Sequence, residues 1–223
     1  IAINEVEQEV VEPNLKRASI VHVPQTITPP SGGWSLLAGH ESLGELLHSA
    51  GIGGSERDML LGEQVEKLSS WDTLDLLFVG SGHPPNVHGF TWFYNEVFLP
   101  HLAKMGTTVL VAGSASWDLT KVIEHPQIAM VGRVDDLDPL YAAARVIILP
   151  IRQGAGFSIK TLEAMTHSTP VVATPQSLRG LESTSSEIAS YDDPLAFAGA
   201  IKRLLGNVDL RREAAAIAFG AAD

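Results

Sequence analysis

The chain has 223 residues, of which 45% are hydrophobic and 18% charged, and its formal net charge is −11 at pH 7. This composition excludes a disordered chain and is typical of a globular protein that can bury one full core or slightly more. The acidic balance argues against a general nucleic-acid binder. Because the sequence contains no cysteine, disulfides and thiolate chemistry are excluded, which fits a cytoplasmic protein.

The apolar runs are too short for a membrane span. The longest, VIILPI at 146–151, has the length of a strand and is far below the roughly 20 residues that cross a bilayer. The first residue is Ile1, and the opening lacks a basic region followed by a small-residue cleavage site. We therefore expect no signal peptide and expect further residues before Ile1.

Three segments of the chain differ in their sequence pattern. Residues 1–28 contain one helical and two strand-like stretches, too few for a domain, and we interpret them as the tail of a preceding N-terminal Rossmann-like domain. Residues 29–72 begin with PPSGG and contain helical patterns but no strand pattern, which predicts a linker with a partly helical insertion. Residues 73–223 form the segment in which we expect a Rossmann-like domain.

Residues 73–223 predict an α/β fold in which a Rossmann-like parallel sheet carries helices on both faces. Short runs rich in Val, Ile and Leu alternate with longer amphipathic segments, several of which have Asp or Ser at a plausible N-cap. This alternation predicts right-handed crossovers and a ligand site beyond the carboxyl ends of the strands. The predicted strands are DLLFVG, TTVLVAG, IAMVG, ARVIILP and PVVAT; the predicted helices are VHGFTWFYNEVFLPHLAKMG, DDLDPLYAAA, FSIKTLEAMTHS, DPLAFAGAIKRLLG and REAAAIAFGAAD.

A short glycine loop, Gly154-Ala155-Gly156, lies between a predicted strand and a predicted helix. The backbone of such a loop can approach a ligand closely, and the first amides of the helix point outward without partners. The positive end of the helix dipole and Lys160 in the first turn would suit a phosphate or a diphosphate.

One carboxylate, Glu163, lies on the apolar side of this predicted helix, beside Ile159, Leu162 and Thr166. A charge in that position is costly unless it has a partner. Two explanations are open at this point. Glu163 could accept hydrogen bonds from the vicinal hydroxyls of a ribose, or it could pair with Lys160 three residues earlier while the glycines only form a tight turn.

The run from Asp75 to Gly180 resembles the C-terminal, donor-binding half of retaining glycosyltransferases with the GT-B fold, especially family 4. The resemblance implies that these residues bind a nucleotide sugar, while the acceptor lies against an N-terminal Rossmann-like domain that is mostly missing here. It is carried, in order, by FVGSGHPPNVHGFTWFYNEVFLPHL, VLVAG and IAMVGRVDDLDPLYAAARVIILPIRQGAGFSIKTLEAMTHSTPVVATPQSLRGLE.

The resemblance assigns roles to individual residues. Glu163 matches the second Glu of the E-x7-E motif, which holds the nucleotide ribose, and with Lys160 it is an expected catalytic residue. Expected donor-binding residues are the loop after the first strand (Gly80, Ser81, Gly82), the loop that borders the base (Arg133, Val134) and the turn whose amides meet the diphosphate (Gly154, Ala155, Gly156, Phe157, Ser158).

The sequence departs from the family pattern at two places. The first Glu of the motif would fall on Ala155, and the loop after the first strand offers His83 but no Arg or Lys. A subset of the family has a small residue at the first position and a Lys in the following helix, so Lys160 is expected to supply the missing cation. Arg179 could reach a phosphate, but we expect it to be solvated, and we expect His167 to be a surface or capping residue.

The implied function is transfer of a sugar from a nucleoside-diphosphate donor to an unknown saccharide, lipid-linked or protein acceptor, with retention. No metal and no other cofactor is expected, because the aspartates in DDLD at 135–138 suit a helix cap and first turn and no histidine pair has metal-ligand spacing. Peripheral membrane association is left open.

Two alternatives remain. The departures at Ala155 and in the first loop would suit a non-catalytic nucleotide-binding or interaction module. A nucleotide-sugar epimerase would need acid and base carboxylates in the cleft, and the sequence offers none with convincing placement.

Overall fold

The computed structural model describes residues 63, 64, 66–68, 70–154, 159–167, 169–179 and 188–220, with backbone only for 159, 160 and 218–220. The segment 1–28 and most of 29–72 lie outside the described residues. The interpretations of these two segments therefore stay predictions. Among the residues that are described, no helix is long and apolar enough to cross a membrane.

Strands and helices alternate along the described chain, as the sequence predicts. The strands are β1 (Leu74–Val79), β2 (Val109–Ala112), β3 (Ile128–Gly132), β4 (Ala144–Leu149) and β5 (Val171–Ala173). The helices are α1 (Pro84–Trp92), α2 (Ser116–Leu119), α3 (Asp138–Ala143), α4 (Ile159–Thr166), α5 (Pro194–Gly206) and α6 (Val208–Gly220). All five predicted strands and the predicted helices are confirmed, whereas the four-residue α2 was not predicted.

The helix after β1 does not keep α-helical geometry to its end. After Trp92 the chain continues as a π-helical segment, Phe93–Leu102, and a 3₁₀ turn, Ala103–Met105. Two residues of this segment, Phe93 and Phe98, are fully buried, and Tyr94 is half-buried against the same apolar cluster. These aromatic side chains therefore form part of the core.

The five strands form one parallel sheet in the order β3-β2-β1-β4-β5. The chain therefore builds outward from β1 through β2 to β3, and then returns to the other side of β1 to add β4 and β5. Neighbouring parallel strands at such a reversal send their following loops to opposite sides, which opens a crevice at the carboxyl edge. The loops after β1 and β4 flank this crevice.

The sheet has an apolar layer on each face. Successive residues of β1 alternate between the two layers, since Leu77 packs with α3 and α4 side chains and Phe78 packs with α1 and α5 side chains. A parallel sheet covered on both faces needs strands that are apolar throughout, and that is the pattern of β1 apart from Asp75. This buried carboxylate accepts hydrogen bonds from Arg145 Nη1 at 2.8 Å and from the backbone N of Thr108 at 3.2 Å.

Side chains of two helical residues, Gln64 and Lys67, cover the open edge of β3. Gln64 Oε1 accepts a hydrogen bond from the backbone N of Met130 at 3.0 Å, and Lys67 Nζ donates to the carbonyl of Ile128 at 3.0 Å. These bonds satisfy backbone groups that an edge strand would otherwise leave unpaired. The end of the segment interpreted as a linker thus belongs to the sheet domain.

Candidate functional site

The loop after β1 is held by side chains that follow it in the sequence. Asn86 Nδ2 donates to both the carbonyl and the hydroxyl oxygen of Ser81, each at 2.9 Å. The backbone N of Gly82 donates to Ser114 Oγ at 3.0 Å, across from the loop after β2. The amide of Gly82 and the hydroxyl of Ser81 are therefore engaged within the protein, and His83 is exposed at the start of α1.

The loops after β1, β2 and β3 approach one another through glycines. Gly113 has φ +96°, its backbone N donates to the carbonyl of Gly132 at 2.5 Å, and a Cβ at this position would lie 2.2 Å from the carbonyl oxygen of Gly80. Gly132 itself has φ +70°. Position 113 requires both a left-handed backbone conformation and close contact with a second backbone, and only glycine allows both.

The loop predicted to border the base begins with Arg133, which is exposed. Its Cζ lies 5.6 Å from the ring centroid of Trp117, within cation–π range, and Trp117 is 49% exposed at the carboxyl edge of the sheet. The other predicted residue of this loop, Val134, is half-buried against the core. Arg133 is thus presented to solvent at the edge where the ligand is expected, and Val134 anchors the loop.

The loop after β4 lies directly against α1. A Cβ at Gly154 would be 3.6 Å from Pro85 Cγ, and Gln153 Nε2 and His88 Nδ1 are 2.9 Å apart. Gly89 of α1 comes so close that a Cβ there would lie 2.6 Å from the carbonyl oxygen of Pro150. The structure therefore places the second predicted ligand loop against the helix that begins directly after the first, although about 70 residues separate the two loops in the sequence.

Glu163 is half-buried in the middle of α4, between side chains that are buried. Leu162 and Thr166 are among these, and Thr166 Oγ1 donates to the backbone carbonyl of Glu163 at 2.7 Å. Glu163 is therefore on the predicted side of the helix. Ala155, Gly156, Phe157 and Ser158, and the side chain of Lys160, lie outside the described residues, so their roles stay predictions, as does the choice between ribose and Lys160 as partner of Glu163.

A buried tyrosine lies near the carboxylate of Glu163. Burial first, and then the carboxylates of Glu163 and Asp138, raise the pKa of the Tyr141 phenol well above its ordinary value, so this group is neutral. The ring of Tyr141 stacks on His167, with centroids 4.2 Å apart and planes 10° apart.

The expected surface position of His167 is wrong, although the residue directly follows the end of α4, where a capping residue lies. Its side chain is only 10% exposed and its Nε2 lies 3.6 Å from Asp138 Oδ1. Burial lowers its pKa, although the carboxylates of Asp138 and Asp136 oppose this effect. Asp138 lies in the first turn of α3, as expected, whereas Leu137 occupies the cap position and Asp136 Oδ1 accepts from the backbone N of Asp138 at 3.0 Å.

Among the described residues, no three His, Cys, Asp or Glu side chains are grouped so that they could hold a metal ion. The expected absence of a metal remains a prediction, since the side chains between residues 154 and 161 lie outside that search.

Several residues near the site carry no strong sequence signal. Arg179, expected to be solvated, is half-buried and donates to the carbonyl of Gly154 at 3.1 Å, and Gln176 donates to the same oxygen at 3.0 Å. Asn86, Ser114 and Trp117 fix or border the loops through contacts that depend on which strands are neighbours. The one local signal was a glycine directly after a buried strand, which marks Gly113 as it marks Gly80.

An open parallel α/β sheet with glycine loops at the carboxyl ends of its neighbouring strands defines a Rossmann-like domain. Residues 73–207, more than half of the chain, match the family described as Glycosyl transferases group 1. The chain belongs to this family, which confirms the resemblance to GT-B glycosyltransferases, whereas retention and membership of family 4 stay predictions. A comparison with curated protein sequences found no match.

Solved structures share the fold at low sequence identity. WaaG, a glycosyltransferase involved in lipopolysaccharide biosynthesis, matches all of this chain over 57% of its own length, with TM-score 0.56 and 16% identity. The C-terminal domain of LpcC, a group 1 family glycosyl transferase from Francisella tularensis, matches 82% of this chain over 91% of that domain, with TM-score 0.52 and 15% identity. HepE from Anabaena, in complex with UDP and glucose, matches 99% of this chain over 57% of its own length, with TM-score 0.54 and 15% identity.

Proposed function

We propose that this chain contains the donor-binding domain of a retaining glycosyltransferase, which transfers a sugar from a nucleoside diphosphate to an acceptor. The observation that carries the proposal is the packing of the second glycine loop on α1, the helix that follows the first glycine loop, inside the residues that match the family. Gly154 lies against Pro85 at the start of α1, so a ligand bound at the carboxyl edge would contact both loops. This is where open α/β sheets bind nucleotides.

The chemical requirement is to stabilise the negative charge that grows on the nucleoside diphosphate as the anomeric bond breaks. In this proposal the backbone amides of the turn from Gly154 to Ser158 and the ammonium group of Lys160 meet the diphosphate. Glu163 accepts hydrogen bonds from the ribose hydroxyls, and Arg133 borders the base. The reaction uses neither a metal ion nor another cofactor, and a cytoplasmic location and a saccharide, lipid-linked or protein acceptor belong to the same proposal.

Calorimetric titration of the 223-residue chain with UDP, GDP and ADP tests the proposal. UDP is tested first because two proteins of similar fold were solved with uridine nucleotides. HepE was solved with UDP, and a trehalose-6-phosphate protein from E. coli was solved with UDP-2-fluoro glucose. The second protein matches this chain with TM-score 0.51 and 12% identity. We expect one nucleotide to bind and Glu163→Ala to weaken it about ten- to a hundredfold, because hydrogen bonds to a charged acceptor are lost.

Glu213→Ala is the matched control, because Glu213 is exposed on α6 and the change removes the same charge. It should bind nucleotide like the unchanged chain. Absence of binding to any of the three nucleotides by the folded chain would contradict the proposal and favour an interaction module. Equal weakening by both substitutions would instead contradict the role of Glu163.

Catalysis is tested on the full-length protein with the nucleotide sugar whose base binds. Release of the nucleoside diphosphate together with a free or transferred sugar is expected. Binding without release would support the non-catalytic module, and conversion of the donor into an isomeric nucleotide sugar would support the epimerase. Activity that persists in EDTA would support metal independence.

A further inference from the structure

The turn after β5 holds the loop after β4 by hydrogen bonds from buried side chains. Ser177 Oγ donates to the carbonyl of Leu149 at 2.5 Å and accepts from the backbone N of Ile151 at 3.2 Å. Thr174 Oγ1 donates to the carbonyl of Ile151, and its backbone N donates to the carbonyl of Leu149 at 3.1 Å. Both hydroxyl residues are almost fully buried, so the two turns form one rigid unit.

Two further side chains of the same turn reach the predicted diphosphate loop. Gln176 Nε2 and Arg179 Nη1 donate to the single carbonyl oxygen of Gly154, at 3.0 and 3.1 Å. Gly154 has φ +139°, in the region that only glycine adopts readily. Its unusual backbone direction is therefore fixed by two donors that come from another part of the chain.

The direction of this carbonyl matters for an anion. A peptide group is planar and almost always trans, so its N–H points opposite to its carbonyl oxygen. Donors that hold the oxygen of Gly154 on one side keep its partial negative charge away from a phosphate bound on the other side. Anion sites built from backbone amides depend on this arrangement.

We propose that Gln176 and Arg179 are positioning residues for the donor diphosphate, acting through the carbonyl of Gly154. The inference rests on the proposed function. The competing interpretation is that the guanidinium of Arg179 contacts the phosphate and replaces the cation that the first loop lacks. The geometry favours positioning, because the neutral side chain of Gln176 makes the same contact to the same oxygen.

Binding of the nucleoside diphosphate that the chain prefers is measured by calorimetry, and binding of the matching nucleoside, which lacks phosphates, by ligand-observed NMR. The variants are Gln176→Leu, Arg179→Met and Arg179→Lys, with Arg212→Met as the control because Arg212 is exposed on α6. We expect Gln176→Leu and Arg179→Met each to weaken diphosphate binding about three- to tenfold, the effect of one lost hydrogen bond. Nucleoside binding should not change.

Arg179→Lys keeps a donor and a charge and should recover most of the diphosphate affinity, and Arg212→Met should match the unchanged chain. Weakening by Arg179→Met alone would overturn positioning in favour of direct phosphate contact. Equal weakening of nucleoside and diphosphate binding would overturn it too, since it would indicate general damage to the pocket. If the unchanged chain binds no nucleoside diphosphate, the proposed function itself fails, and this inference with it.

Discussion

At the scale of single residues, Gly113 is the position that tolerates least change. Its left-handed φ of +96° strains any other residue, and the carbonyl oxygen of Gly80 occupies the place of a Cβ at 2.2 Å. The obstructing atom belongs to the backbone of a second loop, which is itself bound by the backbone N of Ala115 at 3.0 Å. A side chain at position 113 could therefore avoid this clash only if two loops of the site separated.

We expect Gly113→Ala to lower the free energy of unfolding by about 2–4 kcal/mol, the sum of backbone strain and overpacking. Urea denaturation measures the change. Gly199→Ala is the control, because in α5 no atom from elsewhere in the described chain lies within 4 Å of the place that its new methyl group would take. It should stabilise the chain by about 0.5–1 kcal/mol. Similar small effects at both glycines would contradict the close approach of the loops.

At the scale of elements, the packing of α1 on the loop after β4 determines the width of the crevice. Gly89 makes that packing possible, since a Cβ there would lie 2.6 Å from the carbonyl oxygen of Pro150 and 3.2 Å from Ile151 Cα. Backbone atoms cannot turn aside as a flexible side chain can. A methyl group at this position must displace the helix, the loop or both.

Gly89→Ala should therefore destabilise the chain by about 1–3 kcal/mol, as overpacking does, and should also weaken nucleotide binding. The second effect distinguishes it from other destabilising changes, because the displaced elements carry the two ligand loops. Denaturation and calorimetry on the same sample measure both, with Gly199→Ala again as the control. Unchanged nucleotide affinity in a clearly destabilised variant would show that the width of this contact does not matter for binding.

At the scale of the whole molecule, buried histidines make stability depend on pH. Burial lowers the pKa of His167, and burial and then Lys67 lower the pKa of His125. When the folded pKa lies below the unfolded value near 6.5, the unfolded chain binds more protons, so stability rises with pH through that interval and is lost below it.

We expect the urea midpoint to fall as pH is lowered from 7.5 to 5. His167→Phe should reduce this pH dependence, because it keeps an aromatic ring against Tyr141 and removes the titrating group. His83→Phe is the control and should leave the slope unchanged, because His83 is exposed and its side chain makes no cap hydrogen bond to α1. A slope that is the same in all three proteins would mean that burial of His167 carries no protonation cost.

The sequence predicted the elements well because each depends on neighbours in the chain. The apolar runs of β1 to β5 and the periodicity of α3 to α5 are local patterns, and they survive in the fold. Two local expectations were less successful. His167 was expected at the surface but is covered by Tyr141, and Arg179 was expected in solvent but bonds to Gly154. Both contacts join segments whose proximity no local pattern encodes.

The sequence by itself determined the α/β class, the glycine loops and the unusual place of Glu163 on the apolar side of its helix, because these follow from residue type and spacing. Only the tertiary structure decided that β4 lies next to β1, that α1 rests on the loop after β4, and that Gln176 and Arg179 reach Gly154. The physical reason is that strand order is selected by packing of both faces of the sheet at once. The crevice is a consequence of that order, and no single segment of the sequence contains it.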